Sequence, residues 1–205
     1  MRSVCNKVRG EKQSQATTKT KEYDQPEIIR LVNKAAGGSF EAFGELYGVY
    51  LDRIYRYVLY QVKDRMTAED ITEEVFVKAW KAINSCKGKG KTFSSWIYRI
   101  AHNHIINTLR DKKKFASVDV EDLTELSDSE LVVEKKLEDQ ELLETLSDLP
   151  QSQRQVVVLK FLEGMNNREI GQIMQKSESA IRILQMRALT ALRQKLGGGK
   201  TVNGT

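Results

Sequence analysis

Apolar side chains recur every three or four residues along much of this chain, and this spacing constrains the fold more than any other feature. The clearest run begins at Phe40, and its repeat places one broad apolar stripe on a helix reaching about Val62. The stripe comprises Phe40, Phe43, Leu46, Tyr47, Tyr50, Leu51, Ile54, Tyr57 and Val58. Only two prolines interrupt 205 residues. The sequence therefore predicts an all-α fold with this stripe in the core.

Start and stop signals divide the first half of the chain into four helices. Pro26 suits the first turn of a short helix that Gly37-Gly38 ends, and Ser39 is placed to cap the next helix. Thr67 with Asp70 resembles the start of a third helix. Its inward side chains are expected to be Ile71, Val75, Val77, Ala79, Trp80 and Ile83. Ser94 or Ser95 can cap a fourth helix, running to the lysines at 112–114.

The second half has the layout of a helix-turn-helix. A short helix over Val156–Phe161, with Ser152 as its cap, is broken by Glu163-Gly164. Asn166 or Asn167 can cap a bracing helix over Arg168–Met174. Ser177 can then cap a long last helix over Glu178–Leu196, which ends at Gly197.

Charge is segregated along the chain into three blocks. Residues 1–114 hold 22 Lys/Arg against 13 Asp/Glu, residues 115–148 hold 2 against 12, and residues 149–205 hold 9 against 3. Two basic bodies joined by an acidic bridge indicate two contacts with nucleic acid or with an anionic membrane. We expect two small helical domains joined by a flexible acidic linker. The predicted organisation is a disordered arm (1–24), a first domain (25–115), the linker (116–129), a second domain (130–197) and a disordered tail (198–205).

Several classes of function are excluded by what the residues can do. Cys5 and Cys86 are too few for a metal cluster and give no disulfide framework. His102 and His104 point about 200° apart on a helix, so they do not form a metal site with each other. No apolar run approaches the roughly 20 residues of a membrane span. We expect a cytoplasmic, non-enzymatic protein without membrane insertion, cofactor or metal.

The helix-turn-helix predicts DNA binding by the last helix. Its early exposed face would carry Ser179, Arg182, Ile183, Met186 and Arg187. Arginine pairs with guanine or holds a phosphate, and apolar side chains contact thymine methyl groups. In residues 168–200, seven Lys/Arg face only two acidic residues, Glu169 and Glu178. That balance favours DNA binding over a purely structural helix pair.

A second candidate DNA contact combines cations with aromatic rings. The glycine-lysine loop over 87–91 carries Lys89 and Lys91, and Phe93, Trp96 and Tyr98 follow it. Aromatic rings beside cations suit unstacked single-stranded bases. Trp96 is equally compatible with a place in the core, because Ile100 lies four positions on.

Three segments resemble segments of the sigma factors of the extracytoplasmic-function (ECF) class, in the sigma-70 family, and occur in the same order as in that class. They are AEDITEEVFVKAW (68–80), KTFSSWIYRIAHN (91–103) and LPQSQRQVVVLKFLEGMNNREIGQIM (149–174). The resemblance implies a subunit of RNA polymerase that directs promoter recognition, melting and initiation. The first domain would bind the polymerase and the −10 element, and the second the −35 element. The rival interpretation is a free-standing helix-turn-helix regulator, which leaves the motifs over 68–103 unexplained.

The same resemblance implies roles for individual residues. Asp70, Glu73 and Glu74 would dock on the β′ clamp of core RNA polymerase, although Gln is usual in the family at the position of Glu73. Asn103 matches a residue of a pocket for a flipped base. The full set expected at the −10 element is Lys89, Lys91, Trp96, Arg99, Asn103 and Asn107. The β flap of the polymerase, promoter DNA and an anti-sigma factor are the further partners that the resemblance implies.

Overall fold

Every regular element in the described part of the chain is a helix, which confirms the predicted all-α fold. The computed structural model describes residues 23–86, 92–116 and 142–197. Their α-helices are α1 (Gln25–Ala36), α2 (Phe40–Val62), α3 (Arg65–Ala82), α4 (Phe93–Ala116), α5 (residues 142–147), α6 (Gln151–Val157), α7 (Asn167–Met174) and α8 (Glu178–Gly197). A 3₁₀ turn (Ile83–Ser85) follows α3, and a π-helical turn (Val158–Leu162) extends α6. Lys89, Lys91 and, apart from Ala116, the predicted linker lie outside the described residues.

The first domain is a bundle of α1 to α4 built around the long helix α2. Ser39 caps α2, as its side-chain oxygen accepts a hydrogen bond from the amide of Ala42 at 3.2 Å. Leu46, Ile54 and Tyr57 of the predicted stripe are fully buried, and α2 packs against α1, α3 and α4. The apolar repeat therefore predicted the central helix of this domain and the direction in which it faces.

Two helices of this bundle begin earlier than the sequence predicts, because other side chains cap them. The carboxylate of Asp64 accepts a hydrogen bond from the amide of Thr67 at 2.8 Å, so α3 begins at Arg65 and not at Thr67. The hydroxyl of Thr92 accepts from the amide of Ser95 at 3.2 Å, so neither Ser94 nor Ser95 is the cap of α4. Both caps satisfy amides that a helix start leaves without intrahelical partners.

Three aromatic or aliphatic side chains expected in the core lie at the surface instead. Phe40 is 70% exposed, Tyr47 is 39% exposed and Val77 is 51% exposed. Phe40 meets the half-buried Trp80 edge-on at 5.6 Å between ring centroids, and Tyr47 meets the buried Phe76 at 4.7 Å. These residues form an outer layer over the core of α2 and α3, which a helical repeat alone does not separate from the inner layer.

The second domain packs α5 to α8 around apolar side chains that are continuous with the core of the first domain. Leu146, Leu159, Ile170, Ile173 and Ile181 are fully buried. Helix α6 starts at Gln151, directly after Pro150, with no side-chain cap, so the expected cap at Ser152 is wrong. Proline suits a helix start because its missing amide would be unpaired there anyway.

The two domains contact each other directly. Helix α4 packs against α7, and α2 packs against α6 and the π-helical turn. Arg53 of α2 forms an ion pair with Glu163 at 2.9 Å, and Arg154 of α6 donates to the side chain and the main-chain carbonyl of Gln61. These pairs are 93 and 110 residues apart in the chain, and no local pattern predicts them.

Candidate polymerase and promoter interfaces

One face of α3 presents the three carboxylates expected to meet the polymerase. Asp70, Glu73 and Glu74 are all exposed. Glu74 is also held within the domain: its Oε2 lies 3.4 Å from the amine of Lys78 and 3.3 Å from Nε2 of His104. Within the described residues, Asp70 and Glu73 take part in no ion pair. The face therefore offers two carboxylates that are not paired within the described residues, and a third, Glu74, that already contacts Lys78 and His104.

Apolar surface continues directly from these carboxylates. Glu73, Val77 and Trp80 stand at helical positions i, i+4 and i+7, so they share one stripe of α3. Phe40 and Tyr47 of α2 flank the stripe through their ring contacts with α3. We call these five residues, together with the exposed Asp70, the docking face. Sequence reasoning assigned only its charged members, because the same apolar spacing also describes a core.

The aromatic residues at the start of α4 are mostly part of the core. Phe93 is buried and lies 5.1 Å from the ring of Tyr50, and Tyr98 is fully buried against Tyr57 at 5.3 Å. The interpretation of Phe93 and Tyr98 as base-stacking rings is therefore wrong. Trp96 is half-buried, and its indole nitrogen donates to the hydroxyl of Ser85 at 3.2 Å. One edge of Trp96 is thus fixed against the domain while part of its ring remains accessible.

The remaining −10 candidates of the described residues line a single polar stripe of α4. Arg99, Asn103 and Asn107 stand at positions i, i+4 and i+8, with Arg99 half-buried and both asparagines exposed. Between them, His102 faces inward, where burial first, and the charges of Lys176 and Arg99 next, lower its pKa to about 4. His102 is therefore a neutral packing residue near pH 7. The asparagine amides can both donate and accept hydrogen bonds, which suits the edges of unpaired bases.

The turn between α7 and α8 is tightly packed, and side chains cap both helices. Asn166 and Glu169 form a reciprocal capping box at the start of α7, with bonds of 3.0 Å and 2.9 Å. A Cβ atom at Gly171 would lie 2.7 Å from the carbonyl oxygen of Lys176, so the turn passes too close for any side chain there. Ser177 caps α8 by accepting from the amide of Ala180 at 3.2 Å, as predicted.

Helix α8 presents all five −35 candidates to solvent. Ser179, Arg182, Ile183, Met186 and Arg187 are exposed, with Ile183 at 47% and Met186 at 62%. Ile181 and Ala188, on the opposite side, are fully buried. Exposed apolar side chains beside arginines on one helical face are the combination that reads thymine methyl groups and guanine edges. Arg182 is held only loosely by Glu178, at 3.8 Å.

Comparisons with known proteins identify the class. Residues 46–115 match the family model of sigma-70 region 2, and residues 145–194 match that of sigma-70 region 4. The chain is 32% identical to the ECF RNA polymerase sigma factor BldN of Streptomyces coelicolor, over 84% of this chain and 67% of BldN. It is 30% identical to the ECF RNA polymerase sigma factor SigW of Bacillus subtilis, over 82% of this chain and 96% of SigW. The chain belongs to the ECF class of RNA polymerase sigma factors.

Solved structures share the fold. The sigma factor RpoE of Bartonella quintana, in complex with the anti-sigma factor NepR, has a TM-score of 0.63 at 18% identity, covering 77% of this chain and 98% of RpoE. CnrH, in complex with the cytosolic domain of CnrY, has a TM-score of 0.65 at 23% identity, covering 84% of this chain and 98% of CnrH. Within the described ranges, no helix is long and apolar enough to cross a bilayer.

As a sigma factor, the protein binds core RNA polymerase and directs promoter recognition, melting and initiation. A free-standing helix-turn-helix regulator is not favoured. Region 2 accounts for residues 46–115, for which that alternative has no role.

Proposed function

We propose a division of labour between the two domains, with the boundaries of 25–115 and 130–197 expected from the sequence. The first domain binds the polymerase through Asp70, Glu73 and Glu74 and captures the −10 element along α4. The second domain binds the −35 element through α8. The observation that carries this proposal is the presence of two exposed polar helical faces, on α4 and α8, in separate domains beside one exposed acidic face on α3. The chain supplies recognition and base capture, with no covalent chemistry.

At the polymerase, the docking face would combine charge with apolar contact. Asp70 and Glu73 would orient the partner's basic side chains, because charge complementarity sets orientation and association rate more than affinity. Val77, Trp80 and Phe40 would supply the buried apolar centre on which affinity depends. Glu74 would contribute less, since Lys78 already neutralises part of its charge and His104 lies 3.3 Å from its Oε2.

At the −10 element, the polar stripe of α4 would hold displaced bases. Asn103 and Asn107 would bind base edges, and Arg99 would hold a phosphate or stack on a base. Trp96 offers the accessible part of one ring at the N-terminal end of the stripe, and Lys89 and Lys91 precede it by a few residues in the sequence. Contacts between α4 and the captured bases would compensate for the base stacking that is lost when the duplex opens. This compensation would favour melting.

At the −35 element, α8 would lie in the major groove with its first turns against base edges. Arg182 is the candidate for bidentate contact with guanine, and Ile183 and Met186 for contact with thymine methyl groups. Ser179 and Arg187 would contact the DNA at the two ends of this face.

The protein would act in the cytoplasm, where it meets the polymerase. We expect an anti-sigma factor as a second partner, because a structural neighbour was solved in complex with one. Co-purification from the native host that yields no inhibitor of transcription would contradict that expectation.

The test of the docking face is association with purified core polymerase, followed by run-off transcription. Replacing Asp70 and Glu73 with lysine should weaken association at least about tenfold, because like charges then oppose the partner's cations. The matched control is Asp52→Lys, an exposed carboxylate on α2 of the same domain. Equal association of all three proteins would overturn the docking assignment, and absence of any transcript with the wild-type chain would overturn the promoter roles.

A further inference from the structure

His104 of α4 lies against two charged side chains that α3 carries beside the docking face. Its Nε2 atom lies 3.3 Å from Oε2 of Glu74, and its Nδ1 atom is in hydrogen-bond contact with the amine of Lys78. The same Oε2 lies 3.4 Å from the amine of Lys78, so the three groups form one cluster. The side chain of His104 is 15% exposed, against 59% for Glu74 and 50% for Lys78. The imidazole is therefore held by the fold, while the two α3 side chains can reorient in solvent.

The contact with Lys78 determines the protonation state of this imidazole. An ammonium group has three hydrogen-bond donors and no acceptor, so Nδ1 of His104 accepts the bond and carries no proton. The neutral ring then holds its proton on Nε2, the nitrogen that lies near Glu74. Burial first, and the charge of Lys78 next, lower the pKa of His104, while Glu74 acts in the opposite direction. Helix α4 also packs against α1, α2 and α7, and within the described residues the charges that act on this ring are those of Lys78 and Glu74.

A neutral imidazole in this position leaves the Glu74 carboxylate available to a partner. Because Nδ1 accepts from Lys78, the ammonium is shared between the ring and the carboxylate. The Nε2 side of a neutral ring adds no net charge beside Glu74. Protonation would reverse both effects, since Nδ1 would become a donor opposed to the ammonium and the ring would place its own positive charge beside the carboxylate.

We infer that His104 is a positioning residue for polymerase docking, whose neutral imidazole holds Lys78 and keeps the Glu74 carboxylate available to the partner's basic side chains. The inference rests on the proposed role of Glu74 at the polymerase. His104 acts through Glu74, because most of its own side chain is covered by the domain. It directly follows Asn103, so the same contact joins the docking helix α3 to the helix proposed to bind the −10 element.

The first test is nitrogen NMR of the free full-length chain, which contains two histidines that the spectrum of His104→Gln distinguishes. We expect a neutral His104 ring with its proton on Nε2 and a pKa below the ordinary 6.5. Lys78→Met should raise that pKa, because it removes a repelling charge. Lys81→Met, at an exposed lysine of the same helix, is the matched control and should leave it unchanged. A proton on Nδ1, or equal pKa values in the wild type and Lys78→Met, would overturn the arrangement.

The second test is association of the full-length chain with purified core polymerase between about pH 8 and about pH 5.5, where an exposed imidazole titrates. His104→Gln keeps a donor and an acceptor but does not titrate, so it should restore wild-type association at the upper pH. Toward acid, the wild type should weaken at least about twofold relative to His104→Gln, as for one partly exposed charge interaction. This ratio cancels the titration of the polymerase itself. His104→Leu offers neither donor nor acceptor and should be weaker by a similar factor at both ends of the range.

Glu74→Gln distinguishes failure of this inference from failure of the docking proposal. If Glu74→Gln associates as tightly as the wild type, the role of Glu74 at the polymerase is wrong, and His104 positions nothing for docking. If Glu74→Gln is weaker while the wild type and His104→Leu both follow the pH profile of His104→Gln, the inference on His104 alone is wrong. Circular dichroism reports whether each variant keeps its helices, and His104→Gln keeps the test decisive if His104→Leu fails to fold.

Discussion

Arg154 of the second domain donates to the main-chain carbonyl of Gln61 at 3.2 Å, and the helix that ends there is the central helix of the first domain. Arg154 is 6% exposed, and the same guanidinium donates to the carbonyl of Ser147 at 3.3 Å. One buried side chain therefore satisfies the ends of two helices. Through it, the stability of each domain is linked to the presence of the other.

Arg154→Met should lower the free energy of unfolding by about 1–3 kcal/mol, because buried carbonyls lose their donor while the side-chain volume is nearly kept. Urea unfolding followed by circular dichroism measures the change. Arg168→Met, an exposed arginine on α7, is the control and should stay within about 0.5 kcal/mol. An equal effect of both substitutions would mean that Arg154 acts only as one more surface charge.

Gly171→Ala should destabilise the helix-turn-helix by about 1–3 kcal/mol, because the new Cβ would meet the carbonyl oxygen of Lys176 at 2.7 Å. Gly44→Ala is the matched control in α2, where a Cβ would meet nothing within 4 Å. That substitution should be neutral or stabilising by up to about 1 kcal/mol. Thermal unfolding of the two variants distinguishes them, and equal midpoints would contradict the tight turn.

The helix caps show how much of the fold local patterns determine. Ser39 and Ser177 were recognisable as caps because a hydroxyl just before an apolar repeat satisfies free amides. Asp64 and Thr92 were missed because nearby Thr67 and Ser94 offered equally good local patterns, and only the hydrogen bonds decide between them.

The parts that could not be predicted depend on distant residues. Val77 and Tyr47 fit the apolar spacing of their helices, yet the layer beneath them was already filled, so they lie outside. The Arg53–Glu163 pair joins residues 110 positions apart, and each is an unremarkable charged residue in its own segment. The −35 candidates on α8 were accessible to sequence reasoning because one helix and its cap determine their exposure.

Arg182→Ala should weaken promoter binding by the holoenzyme by about 1–3 kcal/mol and relax the preference at one base pair of the −35 element. Folding stability should hardly change, because Arg182 is exposed and its 3.8 Å pairing with Glu178 is weak. Arg193→Ala, further along the same helix, should leave base preference unchanged. Binding to single-base variants of one promoter measures this difference, and an unchanged preference in Arg182→Ala would remove this residue from base recognition.

Acid should destabilise the first domain partly through His102. Burial lowers its pKa in the folded chain to about 4, whereas the unfolded value is 6.5. Between those values the unfolded chain binds a proton that the folded chain does not. Stability is therefore full above about pH 6.5 and falls by about 3 kcal/mol toward pH 4. His102→Asn should reduce this loss of stability, measured as the free energy of urea unfolding between pH 7 and pH 4. If the pH dependence of that free energy is unchanged in the variant, burial does not lower the pKa of His102 in the folded chain.

The most direct measurement of the central claim is run-off transcription from a genomic promoter library by core polymerase reconstituted with this chain. The account predicts start sites that appear only with the chain and share two upstream elements. Asn103→Ala should then alter selection at the −10 element alone, and Arg182→Ala at the −35 element alone. Start sites that ignore both substitutions, or a chain that binds its DNA equally well without polymerase and adds nothing to transcription, would contradict it.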